Sequence, residues 1–392
     1  MNVSVFLRWH FFNRAIMTNL AQYDLIIVGA GIIGTSLALQ AAERNLKVLV
    51  LEKNGKALGA SIRNFGMVWP IGQPLDRYDL AMRSAELWKS YSKKAGFWLN
   101  NEGSLLLVEN EAEVEAIETF QHQYGSTYGT EILTNRQIEK ISPLHNRMHC
   151  RQALYSTTEC NIYSREALEK LHLLMRQSPQ ITLLYHQEVI RVEKNQVETH
   201  HGTFRGENIV LTNGADLVKF APGLGLSLDT TVSKLQMMRT SALNLPVQSL
   251  GPNLCMGLTL LHYDSFKQIQ NYEQIRQTLE QKYPRQVEHG IHVLVSFTEN
   301  KELIIGDSHE YANEHDPFIQ TRINDYILNY LNIYFDLTYV KIVETWAGEY
   351  LKTKNNALIN AQVQDGIYVL NGVGGAGMTL SFGLTEQFLN DL

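Results

Sequence analysis

Short apolar runs and helically spaced apolar stretches alternate along the first fifty residues. Residues 23–28 (YDLIIV) are an apolar run, broken by Asp24 near its start and closed by a glycine turn. Residues 32–44 then repeat apolar positions at helical spacing, and residues 47–51 form a second run that ends at Glu52. Runs this short, bounded by turn residues, predict buried strands, and with a helix between them they predict the front half of a βαβ unit. Helical spacing recurs over 76–96, 111–124, from Ser164 onward, over 272–282 and over 317–334. Strands are expected at 103–108, between 181 and 211, and from 232 to 306 (KLQMMRTSAL, IHVLVSF, ELIIG). The chain closes with strands at 339–345 and 367–370, a glycine-rich turn, and a helix to Leu392.

The order is α/β, then α+β, then α/β again. It predicts an α/β fold in which one domain is discontinuous and an antiparallel sheet in the middle covers it. The expected division gives residues 21–85, 150–225 and 340–392 to the first domain and 86–149 and 226–339 to the second. With 392 residues, 44% of them apolar, the chain is long enough for two such bodies. A formal net charge of -6 leaves no electrostatic footprint for nucleic acid. Cys150, Cys160 and Cys255 fit neither a zinc site nor a disulfide framework, so no metal is expected and a reducing cytoplasm is. No apolar stretch approaches the roughly 20 residues that span a bilayer, and no firm membrane association is expected. Residues 1–20 read as a disordered extension, with Met17 as a second plausible start; residues 1–16 lack the features of a cleaved leader. The oligomeric state is not legible, and a homo-oligomer stays open.

Gly29-Ala30-Gly31-Ile32-Ile33-Gly34 is a GxGxxG between a strand and a helix, with Glu52 at the end of the next strand and Lys53 beside it. That context is the dinucleotide-binding fingerprint of a Rossmann-type domain. Gly29 makes the turn, Gly31 lets the backbone approach a pyrophosphate, Gly34 lets helix and strand pack closely, and Glu52 accepts from a ribose hydroxyl. The helix N-terminus presents free N–H groups to the phosphates. A second glycine turn, residues 372–377, leads through Met378 and Thr379 into the last helix. Gly374, Gly375 and Gly377 there present backbone N–H groups and a positive helix end, which suit the negative charge of a reduced flavin ring. With no second GxGxxG in a strand–turn–helix setting, the cofactor reads as FAD, not a nicotinamide.

Beyond Gln22 the chain resembles the glycine oxidase, sarcosine oxidase and D-amino acid oxidase family. The resemblance implies that residues 59–70 (GASIRNFGMVWP) run along the cofactor, placing Ser61, Arg63, Asn64 and Met67 against it. It implies that Val189 touches the adenine, and that Asn213 and Gly214, in the stretch LTNGA, form a second turn beside the pyrophosphate. Within the family the chain is most similar to a bacterial branch often found with phosphonate-degradation genes, on the stretches SIRNFGMVWP, KLQMMRT, IIGDSHEY and WAGEY. The implied substrates are aminoalkylphosphonates, N-methylated ones among them. Amino-acid oxidases of the family commonly carry a carboxylate-clamping arginine after Trp-x-Gly. Here Trp346-Ala347-Gly348 leads to Glu349-Tyr350-Leu351, and the usual Pro/Thr/Pro/Asp run is Lys352-Thr353-Lys354-Asn355. The C-terminal region has no cysteine to attach a flavin, so FAD is expected to be non-covalent.

The expected reaction is oxidation of a small, anionic primary or secondary amine, by hydride transfer to flavin N5. It gives an imine, then an aldehyde and an amine, with oxygen or another acceptor taking the electrons. A glycine- or sarcosine-type oxidase, or a dehydrogenase using a quinone or carrier, is the alternative. Orientation and electrostatics supply much of the rate in such a reaction. Arg239 and Arg63 are candidates for holding an acid group, since a guanidinium fork suits a phosphonate. His309 follows a strand that by family likeness ends near the flavin, and is the candidate acceptor of the ammonium proton. Tyr263, Tyr350, Trp69 and Trp346 are candidate walls of the amine pocket. Asp307 is expected only to cap its turn.

Overall fold

The first apolar run is the strand Gln22–Val28, at the middle of a sheet. Ile181–Leu184, Val48–Leu51, Gln22–Val28, Gly202–Leu211 and Ile367–Asn371 lie side by side in that order, all parallel. Side chains alternate across the pleat: Leu25 and Ile27 join the core beneath the helices, while Ile26 and Val28 join the core on the other face. The structure is a computed structural model describing residues 22–244, 250–338, 340–354 and 358–392. The N-terminal extension, Tyr339 and Asn355 lie outside the described residues.

Helices Ile32–Glu43, Leu75–Ala95, Ser164–Gln177 and Gly377–Asp391 pack together on the first face. Phe382 is their joint: it stacks on Tyr91 at 4.6 Å and meets Trp88 edge-on at 4.9 Å. Removing such a ring from a closed core costs about 3–5 kcal/mol. Trp88 Nε1 also donates to the Met378 carbonyl at 2.8 Å, fixing the entry of the last helix. Its first turn is therefore held at the end of the parallel sheet. The antiparallel strands Val189–Glu193 and Gln196–Thr199 extend one part of the sheet, and Ile359–Gln364 extends another.

A second, nine-stranded sheet carries helices Glu111–Tyr128, Tyr272–Lys282 and Thr321–Tyr334 on its larger core. It is antiparallel except where Asn253–Met256 runs parallel to Ser104–Val108. Among the described residues no helix is long and apolar enough to cross a membrane.

Two expectations change. The helix expected from 317 starts at Thr321. Lys234 Nζ donates to the carbonyls of Asp316 and Phe318 at 2.6 and 2.8 Å, and holds that segment as a loop. The strand expected to end at 345 is instead Ile342–Thr353, paired along the length of Thr230–Thr240. It runs straight through Trp346, Gly348, Tyr350 and Lys352. A Cβ on Gly348 would lie 3.0 Å from the Arg63 carbonyl oxygen, so glycine there lets the strand approach the segment after the second apolar run.

Candidate active site

One cavity of about 860 Å³ is walled by both sheets, at the large end of the range for ligand sites. At one end is the first glycine turn. Gly29 has a φ of 105°, and a Cβ there would lie 3.0 Å from the Thr212 carbonyl oxygen. A Cβ on Gly34 would fall 2.0 Å from the Gly29 carbonyl oxygen, so helix and strand close only around a glycine. Gly31 faces Ser61, whose Oγ accepts from the Ile32 N–H at 2.8 Å. Ile33 also lines the cavity, while Ala30 stands behind it. Glu52 Oε2 accepts from the Ala30 N–H at 3.1 Å and Oε1 from the Asn54 N–H at 3.0 Å. A carboxylate has about four acceptor positions, so Glu52 can take further donors from a ligand.

The turn is braced from behind by residues that the motif does not contain. The Ala30 carbonyl accepts from His172 Nε2 at 2.9 Å and from Thr35 Oγ1 at 3.1 Å. A carbonyl only accepts, so Nε2 carries the proton and Nδ1 accepts from the Tyr185 hydroxyl, 2.8 Å away. Burial pushes His172 down to about 4, which keeps it neutral. Thr212 Oγ1 reaches the carbonyls of Val28 and Gly29 at 3.1 and 3.0 Å.

Asn213 lines the same cavity, and both of its side-chain amide atoms are buried without a partner. Leaving such a group unpaired costs about 1–3 kcal/mol, which a ligand's polar edge relieves. An orphaned amide in the wall, beside a glycine turn with no room for side chains, fits FAD. Lys53 lines the cavity paired with Asp216, which Lys219 also contacts at 2.8 Å. Arg63, Asn64, Val189, Gly214, Gly374, Gly375, Gly377 and Met378 line it too. Asn64 shapes its own segment, donating to the Ala60 carbonyl and accepting from the Gly66 N–H. Met67 and Thr379, expected against the cofactor, lie behind the wall. Met67 is buried in a strand pair with Asn161, and Thr379 Oγ1 accepts from the Trp69 N–H at 3.0 Å. None of the three cysteines lines the cavity.

The far end brings together Tyr263, Tyr350 and His309 with three residues that local pattern did not single out, His262, His292 and Lys352. Trp69, Trp346 and Arg239 do not line it. Trp69 donates to Ser104 Oγ at 3.1 Å and meets Tyr263 edge-on at 4.4 Å, so it backs the wall. Trp346 lies under the Arg165 guanidinium, 4.7 Å away. Arg239 donates to Glu302 at 2.6 Å and to Glu344 at 2.9 Å. Its guanidinium is held by these two carboxylates, one of them shared with Arg165, away from the cavity wall where it was expected to hold a substrate's acid group. Arg63 stays in the wall, with Nη1 3.3 Å from the Ala347 carbonyl oxygen.

The imidazoles of His262 and His292 are 3.8 Å apart between centroids, and those of His262 and His309 4.5 Å. Asp307 is buried beside them, Oδ1 3.3 Å from His292 Nε2 and Oδ2 3.8 Å from His309 Nε2. It does more than cap a turn: its Oδ1 and both ring nitrogens of His292 are buried without a hydrogen-bond partner. Burial holds His309 down at about 4, pushes His262 and His292 well down, and pushes the Asp307 carboxyl well up. All four directions favour the uncharged forms, neutral imidazoles around a neutral acid. His309 Nδ1 is 3.1 Å from the Gly290 carbonyl oxygen, so Nδ1 carries the proton and the Nε2 lone pair stays open. The three residues offer nitrogens within 4.8 Å of one another, a donor set that can hold one metal ion as well as bind a polar ligand.

A family model described as DAO, FAD dependent oxidoreductase, matches residues 24–387. The chain is 27% identical to an opine oxidase component of Rhizobium meliloti over 250 residues, which span 59% of this chain and 67% of that protein. It is 24% identical to glycine oxidase of Geobacillus kaustophilus over 225 residues, 53% of this chain and 58% of that one. The sequence matches thus span about two-thirds or less of these curated relatives. Among solved structures, L-proline dehydrogenase from P.horikoshii is similar with a TM-score of 0.76, at 20% identity over 94% of this chain and 93% of that one. The Geobacillus glycine oxidase structure is similar with a TM-score of 0.75, at 20% identity over 95% of both chains. At that identity the structures show the shared fold.

Proposed function

The chain belongs to the DAO family of FAD-dependent oxidoreductases, and from that premise we propose that it oxidises a small primary or secondary amine bearing an acid group. An (N-methyl)aminoalkylphosphonate is the substrate this reading favours, and oxygen is the acceptor. The observation that carries it is His309: a buried, neutral imidazole with an open Nε2, in the same cavity as both glycine turns.

Non-covalently bound FAD supplies the two-electron acceptor. The protein's own groups then prepare the amine. His309 Nε2 takes the ammonium proton, which frees the nitrogen lone pair that must assist loss of hydride. Tyr263 and Tyr350, both buried deeply enough to keep their hydroxyls protonated, wall the pocket and exclude water. The imine product hydrolyses to an aldehyde and an amine. The missing arginine after Trp-x-Gly argues against an ordinary amino-acid carboxylate clamp. A second reading keeps the reaction and makes the acid group a carboxylate; the likeness to glycine oxidase and proline dehydrogenase, named for amino-acid substrates, favours it.

Anaerobic stopped-flow bleaching of the flavin tests both readings. The panel is 2-aminoethylphosphonate, its N-methyl derivative, glycine, sarcosine and a D-amino acid. Fast bleaching by the phosphonates alone supports the first reading. Fast bleaching by glycine or sarcosine supports the second. No bleaching by any of them leaves the flavin fold standing and removes the amine.

A further inference from the structure

We propose that Lys352, with the imidazoles of His262 and His292 at the same end of the cavity, anchors the acid group of the substrate, and that this subsite is built for a tetrahedral oxyanion. The inference rests on the reading of the substrate as an acidic amine.

Lys352 lies six residues after Trp346 on the strand Ile342–Thr353, and it lines the cavity. Gly348, Tyr350 and Lys352 are spaced two apart, so they share one face of that strand. The Lys352 ammonium sits 5.0 Å from the centroid of the Tyr311 ring. Among the described residues it makes no ion pair, whereas Lys53 and Lys219 share Asp216 and Arg239 has two carboxylates. Asp264, the acid that acts on Lys352, is held at 2.9 Å by Lys267. The Tyr311 ring in turn stacks on His309 at 6.0 Å between centroids, and Lys352, His262, His292 and His309 line the same cavity.

A half-buried ammonium without a counter-ion is disfavoured in the free protein, and burial pulls its basicity down. An incoming anion reverses that penalty. The imidazoles of His262 and His292 add one N–H donor each, and His292 has both ring nitrogens buried without a hydrogen-bond partner; His309, whose N–H is on Gly290, keeps its lone pair for the amine. Asp307, the acid at this end, has its oxygens toward His292 and His309, 3.3 and 3.8 Å from their Nε2 atoms. An ammonium with imidazole donors around it offers more hydrogen bonds than a planar carboxylate can accept from one side. A phosphonate, with three oxygens, can use them.

The test uses the FAD-loaded enzyme and ligands without an amine, so that binding is separated from oxidation. Ethylphosphonate and propionate are titrated against the visible flavin spectrum. Ethylphosphonate should bind about tenfold or more tighter than propionate, and Lys352→Met should weaken it about tenfold or more. Lys352→Arg should restore most of the affinity, and both variants should keep their FAD. Equal affinity for the two anions overturns the tetrahedral assignment. An unchanged Kd in Lys352→Met overturns the anchor. Binding abolished by EDTA and restored by zinc assigns the histidines to a metal and also overturns it. If amines bleach the flavin but ethylphosphonate neither perturbs the spectrum nor competes, this inference fails alone. If ethylphosphonate binds through Lys352 and no amine bleaches, the amine reading fails and the anion subsite stands.

Discussion

At the glycine turn, Ala30 uses its N–H on Glu52 and its carbonyl on His172 and Thr35, and the Ile32 N–H is held by Ser61. At the histidine end, His292 and Asp307 keep buried polar atoms with no hydrogen-bond partner. The backbone of the turn is tied down before a ligand arrives, with the Asn213 amide left over for it; the histidine end leaves several side chains for the ligand to complete. The difference teaches where rigidity and where electrostatic strain are placed in a flavoenzyme. A cofactor that stays bound needs a cradle with fixed shape, and a substrate that comes and goes can use groups whose burial is unfavourable until it binds.

The largest expected effect breaks the rigid end. Gly34→Val places a side chain where even a Cβ would lie 2.0 Å from the Gly29 carbonyl oxygen. The helix must move, at about 3 kcal/mol or more. FAD content after purification and the thermal midpoint should both fall sharply; a yellow, fully stable variant would refute the cradle as described.

The brace behind the turn should show itself in acid. His172 is held at about 4 in the fold, against about 6.5 in an unfolded chain. The unfolded chain therefore takes the proton first. The stability is full above about pH 6.5 and is lost as pH falls toward 4, to the extent of about 3 kcal/mol. His172→Asn should flatten that part of the pH–stability curve measured by denaturant melts. An identical acid slope in the variant would show that other groups carry it.

At the open end, His309→Gln should lower kcat/KM for the bleaching amine about 100-fold and remove the limb of the pH profile that reports a base. FAD content should not change. A profile that keeps its shape would mean that solvent takes the proton.

The smallest effect sharpens the boundary between structure and site. Arg239→Leu leaves Glu302 half-buried without its ion pair, while Glu344 keeps Arg165, and should cost about 1–2 kcal/mol of stability. KM for the amine should stay the same, because the guanidinium does not line the cavity. A large rise in KM with stability intact would return Arg239 to the substrate.

Much of the fold was legible because its signals are local. The strand Gln22–Val28, the helices Ile32–Glu43 and Tyr272–Lys282 and the last helix were readable from apolar period and glycine punctuation. The strand Ile342–Thr353 was read too short, because its extension depends on pairing with Thr230–Thr240, about a hundred residues earlier. Whether Arg239 holds a substrate or a nearby carboxylate was not legible for the same reason. Its partners Glu302 and Glu344 are remote in sequence and reach it across the second sheet and its paired strands.

The sequence by itself determined the cofactor end. GxGxxG, the acid after the next strand and the closing glycine turn carry their geometry in residues a few positions apart, and short-range sterics fix that geometry whatever the rest of the chain does. Only the tertiary structure assembled the histidine end. Family likeness pointed to His309, and Tyr263 and Tyr350 were candidate walls, but His262, His292 and Lys352 come from separate segments, and none of those three differs locally from an ordinary histidine or lysine. Their chemistry comes from burial and from one another, and both exist only once the sheets have closed.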